Sequence, residues 1–193
     1  MASMPSTFIN NYVTGLTIAL EEISGKEFED LISALDRAYR REANIFVFGN
    51  GGSGTTASHF ACDMNKGFSC GKARKFRVMC LNENLPTLLA YANDVSYDDV
   101  FVEQLKNFMG EGDLVIGVSG SGNSENVVKA VSYASEYGAV TFGICGFGGG
   151  RLKDVAEKAL VTTCDDMQKI EDIHLIILHC AMQWFEEAYK SDI

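Results

Sequence analysis

The sequence predicts an α/β protein in which about five parallel strands form a doubly wound sheet between two layers of helices. Short apolar runs recur from residue 44 onward, and helical stretches separate them. Most runs are apolar on both faces, which is typical of parallel strands that are buried on both sides. We place the strands at residues 45–48, 76–81, 114–118, 140–145 and 160–163.

The N-terminal region predicts two helices. Apolar residues recur there at helical spacing, and Ser24-Gly25 interrupts the pattern. The apolar positions are Phe8, Ile9, Tyr12, Leu16, Ala19, Leu20, Ile23, Phe28, Leu31, Ile32, Leu35 and Tyr39. One small sheet does not need so many, so we expect residues 1–41 to form a helical oligomerisation segment. Residues 42–193 would be the α/β core of the same single domain, since a chain of 193 residues is cramped for two.

The helices of the core are predicted to begin near Gly54, Leu85, Asn123 and Leu152, and a long final helix is expected at 167–189. Ligands of doubly wound sheets bind at the carboxyl ends of the strands. Three glycine-rich turns fall at such ends, at residues 49–54, 119–124 and 146–150. We therefore look for the functional site in these turns.

Composition argues against several classes of partner. The net charge of −10 and the pI near 4.7 disfavour binding to nucleic acid or to an anionic membrane. No stretch approaches the ~20 apolar residues of a membrane span, and the first five residues lack a secretion signal. The six cysteines form no CxxC pair, which favours buried free thiols in a reducing compartment. We therefore expect a cytoplasmic protein without nucleic-acid or membrane partners.

The serine loop, residues 119–124, gives the strongest functional signal. Ser119, Ser121 and Ser124 offer three hydroxyls, while Gly120 and Gly122 allow the backbone to approach a ligand closely. The helix that follows directs free N–H groups and its positive dipole end to the same point. These donors suit a phosphate dianion, although Ser124 alone could simply cap the helix. The loop is neither a Walker loop nor a GxGxxG turn, which disfavours a dinucleotide.

Two helices carry candidates for acid–base chemistry or metal binding. His59 and Asp63 are four residues apart, so they lie on one helix face about 40° apart. Their spacing suits two ligands of one cation, an acid–base pair, or an ordinary polar pair. On the final helix, His179 falls in an apolar run and is either a core or a functional residue, whereas we expect His174 to be a structural hydrogen-bonding residue.

The serine loop and the residues after it resemble the phosphosugar motif of SIS (sugar isomerase) domains, and the chain resembles the phosphoheptose isomerase family. The supporting segments are Gly49-Asn50-Gly51-Gly52-Ser53, Ser58-His59-Phe60-Ala61, Ala92-Asn93-Asp94, the serine loop, Ile173-His174 and Ile177-Leu178-His179. They occur in order over nearly the whole chain. The resemblance implies a flavodoxin-like strand order and a homotetramer with sites at the subunit interfaces.

The resemblance also implies which residues bind a phosphorylated ketose or aldose substrate. These are Asn50, Gly51, Gly52, Asp63, Asn93, Asp94, Ser119, Gly120, Ser121, Ser124 and Glu171. The family often has threonine where Gly120 stands, so one hydroxyl is absent here.

Zinc-binding members of the family use histidine, glutamate, glutamine and histidine, which match His59, Asp63, Glu171 and His179. The resemblance thus implies one divalent metal per subunit, zinc, although two of the four ligand types differ. Residues 171 and 179 are about 12 Å apart along an ideal helix, so Glu171 is the least secure ligand. Asp63 is about 1.5 Å shorter than glutamate, and a misplacement near 1 Å can lower a rate roughly 10²-fold.

The implied activity is that of an aldose–ketose isomerase, which converts sedoheptulose 7-phosphate to D-glycero-D-manno-heptose 7-phosphate through an enediol. Asp63 and His179 would be the acid and the base, in an order that the sequence leaves open. One alternative is a non-catalytic SIS-fold factor that binds another protein, such as a replication initiator; His179 argues against it and Asp63 keeps it open. Another is an isomerase or sensor for a different sugar phosphate.

Overall fold

The computed structural model describes residues 4–190, in which strands and helices alternate after two N-terminal helices. The strands are β1 (Asn44–Gly49), β2 (Arg77–Cys80), β3 (Leu114–Ser119), β4 (Val140–Cys145) and β5 (Lys158–Val161). The α-helices are α1 (Pro5–Glu21), α2 (Gly25–Arg41), α3 (Gly51–Cys62), α4 (Leu85–Asp94), α5 (Val102–Phe108), α6 (Glu125–Glu136), α7 (Gly150–Val155) and α8 (Met167–Ala188). A π-helix (Asp63–Phe68) extends α3, and a 3₁₀-helix (Tyr97–Asp99) precedes α5.

The five strands form one parallel sheet in the order β2-β1-β3-β4-β5. This confirms the doubly wound sheet and its flavodoxin-like order. The order reverses between β1 and β3, which are neighbours in the sheet, so the turns after these two strands lie side by side at the switch point. The first glycine turn and the serine loop therefore share one edge of the sheet.

Helices cover both faces of the sheet, which confirms the three-layer architecture. On one face, α2, α3 and α8 bury a cluster that includes Leu31, Phe60 and Phe185. On the other face, α5, α6 and α7 bury a second cluster that includes Leu105 and Val131. All six residues of β3 are buried, because this central strand is covered on both sides.

Helices α1 and α4 leave most of their apolar side chains at least partly in solvent in the single chain. On α1, Phe8 is 63% exposed and only Ala19 is buried. No residue of α4 is buried, and Leu89 is 60% exposed. The surplus apolar residues that the sequence shows in α1 therefore do not all pack onto the sheet.

Several boundaries differ from those predicted. The first glycine turn is already part of α3, which begins at Gly51, whereas α6 begins at Glu125 because Ser124 has the extended backbone of an N-cap residue. β5 begins two residues earlier than expected. The π-helix, the 3₁₀-helix and α5 were not predicted, since each is shorter than the window over which periodicity can be recognised. No helix within residues 4–190 is long and apolar enough to cross a bilayer.

Candidate active site

The serine loop lies at the carboxyl end of β3, and the Ser124 hydroxyl does not cap the helix that follows. The Oγ atoms of Ser119 and Ser124 are 3.2 Å apart, and Ser119 is buried. Ser124 precedes α6, but its side chain makes no capping hydrogen bond to that helix. The Ser121 hydroxyl accepts a hydrogen bond from the Asn123 N–H at 3.1 Å and can still donate its own proton. One of the paired Ser119 and Ser124 hydroxyls donates to the other, so the second of them, the Ser121 hydroxyl and the N–H groups of the first turn of α6 remain as donors for an anion.

The third glycine turn supports the serine loop through its backbone, and the expected turn is confirmed. The Gly146 N–H donates to the Gly120 carbonyl at 2.9 Å, and the Leu152 N–H donates to the Gly122 carbonyl at 2.8 Å. Gly122 has a φ of +65°, and a Cβ atom there would lie 1.9 Å from the carbonyl oxygen of Gly149. Because both the backbone angle and the space exclude a side chain, position 122 requires glycine.

The first glycine turn lies beneath the start of α8. A Cβ atom on Gly52 would lie 2.4 Å from the carboxylate of Glu171, so these two predicted substrate residues are in contact. The side chain of Asn82 holds Gly49, where the first glycine turn begins. Its Nδ2 group donates to the Gly49 carbonyl at 2.7 Å, and its Oδ1 atom accepts from the Gly49 N–H at 3.3 Å. The absence of a side chain at position 52 is what admits the Glu171 carboxylate.

Three of the four predicted metal ligands converge. The Nε2 atoms of His59 and His179 are 3.0 Å apart, and Asp63 Oδ2 lies 3.3 Å from the first and 3.5 Å from the second. His59 and Asp63 come from consecutive helical turns at the junction of α3 and the π-helix, while His179 comes from α8. The shorter side chain of Asp63 therefore does reach both histidines.

The separations within this His–Asp–His cluster fit a zinc ion. A tetrahedral site with metal–ligand bonds of about 2.0–2.1 Å has neighbouring ligand atoms about 3.3–3.4 Å apart. The three measured separations, 3.0 to 3.5 Å, bracket this value. Two imidazoles and one carboxylate, with a fourth position left open, are also the donor set of catalytic zinc sites. Glu171 is not among the residues that converge here within the described chain.

The cluster is open to solvent in the single chain. The side chains of His59 and His179 are 52% and 42% exposed, whereas that of Asp63 is 23% exposed. Catalytic sites usually exclude water, which strengthens the electrostatic interactions inside them. The two imidazoles are therefore more open to water than is usual for a catalytic site.

Asn93 and Asp94, two of the predicted substrate residues, lie apart from the serine loop in their side-chain hydrogen bonds. Both lie at the exposed end of α4, where the Asn93 Nδ2 group donates to Asp94 Oδ1 at 2.7 Å. No side-chain hydrogen bond within residues 4–190 joins either of them to the serine loop.

Sequence reasoning missed two residues, Asn126 and Tyr97, whose side chains bind that of Asn50. Asn126 is 1% exposed although it is polar. Asn126 lies between Glu125 and Val127 in the sequence, which gives no sign that its side chain is buried. Tyr97 gave no signal either, because the 3₁₀-helix that carries it is only three residues long.

His174 lies in the core. It is fully buried, and neither ring nitrogen has a partner at full hydrogen-bond geometry within residues 4–190. Burial lowers the pKa of His174 to about 4, and a weak hydrogen bond to the Cys145 backbone offsets only part of this effect. His174 is therefore a neutral core residue, and its expected structural hydrogen bond is at most this one contact with Cys145.

The expectation that all six cysteines are buried is also wrong. Cys80 and Cys145 are buried, and burial raises the pKa of the Cys145 thiol to about 12. Cys62, Cys70 and Cys180 are exposed, and Cys164 is half-buried. All six are free thiols, as expected.

Comparison with known proteins identifies the family. The family model described as the SIS domain matches residues 9–146. A phosphoheptose isomerase from Helicobacter pylori is 30% identical over 188 residues, which cover 94% of this chain and 97% of that protein. A phosphoheptose isomerase from Geobacter sp. strain M21 is 35% identical over 161 residues, 83% of each chain.

A solved structure agrees with the fold. The structure of a phosphoheptose isomerase from Neisseria gonorrhoeae has a TM-score of 0.87 at 23% identity, and the match covers 96% of this chain and all of that one. The family model and the two relatives each span most of this chain. The chain therefore belongs to the SIS-domain proteins and, within them, to the phosphoheptose isomerase family.

Proposed function

We propose that the protein is an aldose–ketose isomerase that interconverts sedoheptulose 7-phosphate and D-glycero-D-manno-heptose 7-phosphate. The convergence of His59, Asp63 and His179 supports this proposal most directly, because isomerisation needs an acid and a base beside the same two carbons. The relatives named phosphoheptose isomerase support the substrate class. The serine loop supplies a separate anion site on the same edge of the sheet.

In the proposed mechanism, Ser119, Ser121 and Ser124 bind the phosphate and so orient the reacting end of the sugar. Asp63 and His179 move the proton between C1 and C2 and between the two oxygens, so that an enediol forms and collapses. Asp63 Oδ2 and His179 Nε2 lie 3.5 Å apart, so both side chains can reach the same pair of substrate carbons and oxygens.

A divalent metal, zinc, would be held by His59, Asp63 and His179. When bound, it would polarise the carbonyl and hydroxyl oxygens of the substrate. We propose that Glu171, which lies on Gly52, contacts the substrate hydroxyls at the first glycine turn. To serve as a fourth ligand, as the family resemblance implies, its carboxylate would have to leave Gly52.

We further propose a homotetramer in which a second copy covers the site. The exposed apolar residues of α1 and α4 and the half-exposed imidazoles of the cluster support this assembly. On this view residues 1–41 serve oligomerisation and residues 42–193 bind the sugar phosphate, within one SIS domain. The free thiols fit a cytoplasmic protein, and the acidic charge fits one without nucleic-acid or membrane partners.

The test follows proton exchange in D₂O by NMR with sedoheptulose 7-phosphate and zinc. We expect the aldose to appear and the carbon-bound proton next to the carbonyl to exchange. His179→Gln should reduce the rate by about 10²–10⁴-fold, because it removes one acid–base group. Cys180→Ser is a matched control, since it changes the exposed neighbour of His179 and should leave the rate unchanged.

Two other outcomes would redirect the proposal. A wild-type protein as inert as His179→Gln across C5–C7 ketose phosphates would reject the isomerase and favour the protein-binding alternative. Exchange with another sugar phosphate but not with sedoheptulose 7-phosphate would keep the chemistry and change the substrate.

A further inference from the structure

The side chain of Asn50 is committed to other protein groups. Its Oδ1 atom accepts from the Tyr97 hydroxyl at 2.9 Å and from Asn126 Nδ2 at 3.0 Å. Its Nδ2 group donates to Asn126 Oδ1 at 2.9 Å. An amide oxygen has two lone pairs and an amide nitrogen has two protons. Both lone pairs of Asn50 are thus in use, and one N–H remains for any substrate.

The three residues join three separate segments of the candidate site. Asn50 directly follows β1 as the N-cap residue of α3, Asn126 follows the serine loop in the first turn of α6, and Tyr97 lies three residues beyond Asp94. These segments carry the residues that the family resemblance assigns to the substrate. They are up to 76 residues apart in sequence, and these side chains tie them together.

We propose that Asn126 and Tyr97 are positioning residues, which hold Asn50 and thereby fix the distance between the phosphate-binding loop and the first glycine turn. This inference rests on the proposed function, because it assumes that one sugar phosphate spans the two turns. The amide pair is suited to the task since it is reciprocal and largely buried, with Asn126 only 1% exposed. Removal of either amide leaves the other with unpaired buried groups.

The positioning role differs from direct substrate binding in what it predicts for pairs of substitutions. If Asn50 bound the substrate independently, the effects of Asn50→Ala and Asn126→Ala would add. If the two amides act as one unit, either substitution breaks the same connection, and the double variant is no worse than the worse single variant.

The experiment measures binding of sedoheptulose 7-phosphate and of inorganic phosphate, together with kcat and KM, for the wild type, both single variants and the double variant. We expect inorganic phosphate to bind each variant within about threefold of the wild type, since the serine loop keeps its own donors. We expect kcat/KM to fall by about 10²-fold in each variant, as a misplacement of about 1 Å predicts. A residue needed only for folding would weaken both ligands alike.

Tyr97→Phe keeps the proposal testable if an asparagine variant fails to fold. Tyr97 is 55% exposed, so loss of its hydroxyl should not affect folding, and we expect kcat/KM to fall by about 3–10-fold through one lost hydrogen bond. Thermal unfolding of every variant serves as the control for folding.

Each remaining outcome decides against the proposal. Suppose that the wild type binds sedoheptulose 7-phosphate more tightly than inorganic phosphate. Variants that keep this preference, or whose losses in kcat/KM add in the double variant, would then overturn the positioning role alone. A wild type that binds neither inorganic phosphate nor the sugar phosphate overturns the proposed function and the positioning role together.

Discussion

The two halves of the candidate site are built in different ways. The serine loop is formed mainly by backbone, lies on a buried central strand and is held by the hydrogen bonds of a second turn. The His–Asp–His cluster is formed by three side chains from two helices, and its imidazoles remain about half exposed. The hydroxyls and N–H groups of the proposed phosphate site all belong to one chain. A site built from projecting side chains depends on what fixes and covers them, so the two halves should respond differently to substitution.

The largest effect should come from Gly122→Ala. A Cβ atom there meets the Gly149 carbonyl at 1.9 Å in a left-handed backbone conformation, so the serine loop must move. We expect inorganic phosphate affinity, measured by calorimetry, to fall by at least about 10²-fold, the scale of a 1 Å displacement. Gly25→Ala is the matched control, since nothing lies within 4 Å of its added Cβ. Unchanged phosphate binding by Gly122→Ala would show that the serine loop is not the anion site.

A substitution in the His–Asp–His cluster should weaken metal binding and leave phosphate binding unchanged. His59→Gln removes one of three converging ligands. Zinc affinity should therefore fall by more than the 10–100-fold that is typical when a residue hydrogen-bonded to a metal ligand is replaced. Inorganic phosphate should bind as it does in the wild type. Zinc titration with a competing chelator measures the first effect, and Cys62→Ser, on the same helix, is the control. Equal zinc affinity in His59→Gln and wild type would exclude His59 as a ligand.

A smaller effect should follow from separating the subunits of the proposed homotetramer. Leu89→Glu places a charge on the exposed apolar face of α4, so light scattering should show a smaller species than the wild type. We expect kcat/KM to fall by roughly tenfold, because water would then reach the cluster. Phosphate binding should be unaffected, since the serine loop is complete in one chain. An unchanged mass would place the subunit interface elsewhere.

The smallest effect concerns His174, which lies on α8 between Glu171 and His179. Its pKa is about 4 in the folded chain and 6.5 when unfolded, so between these values the unfolded chain binds the additional proton. Stability from this residue is therefore complete above pH 6.5 and is lost as the pH falls towards 4. Urea unfolding should show a contribution of roughly 2 kcal/mol lost between pH 7.5 and pH 5.

His174→Leu should lack this contribution, so its stability should depend less on pH than that of the wild type. Parallel pH dependences for the two proteins would show that His174 has the same pKa in the native and unfolded states.

The same difference between backbone and side chains explains what the sequence could predict. The strands, the serine loop and the third glycine turn follow from local patterns, since glycine, serine and apolar runs dictate backbone geometry, whereas the strand order came from the family resemblance. The spacing of His59 and Asp63 placed them on one face, and the family resemblance added His179, which the fold brings to them. The amide pair of Asn50 and Asn126 was not predictable, because no local pattern links residues 76 positions apart.

A crystal structure with zinc and sedoheptulose 7-phosphate tests the central claim most directly. We predict the phosphate against Ser119, Ser121 and Ser124, and the carbonyl end of the sugar beside a metal bound by His59, Asp63 and His179. A phosphate bound at any other place, or a sugar whose carbonyl end points away from the cluster, would contradict the proposed isomerase.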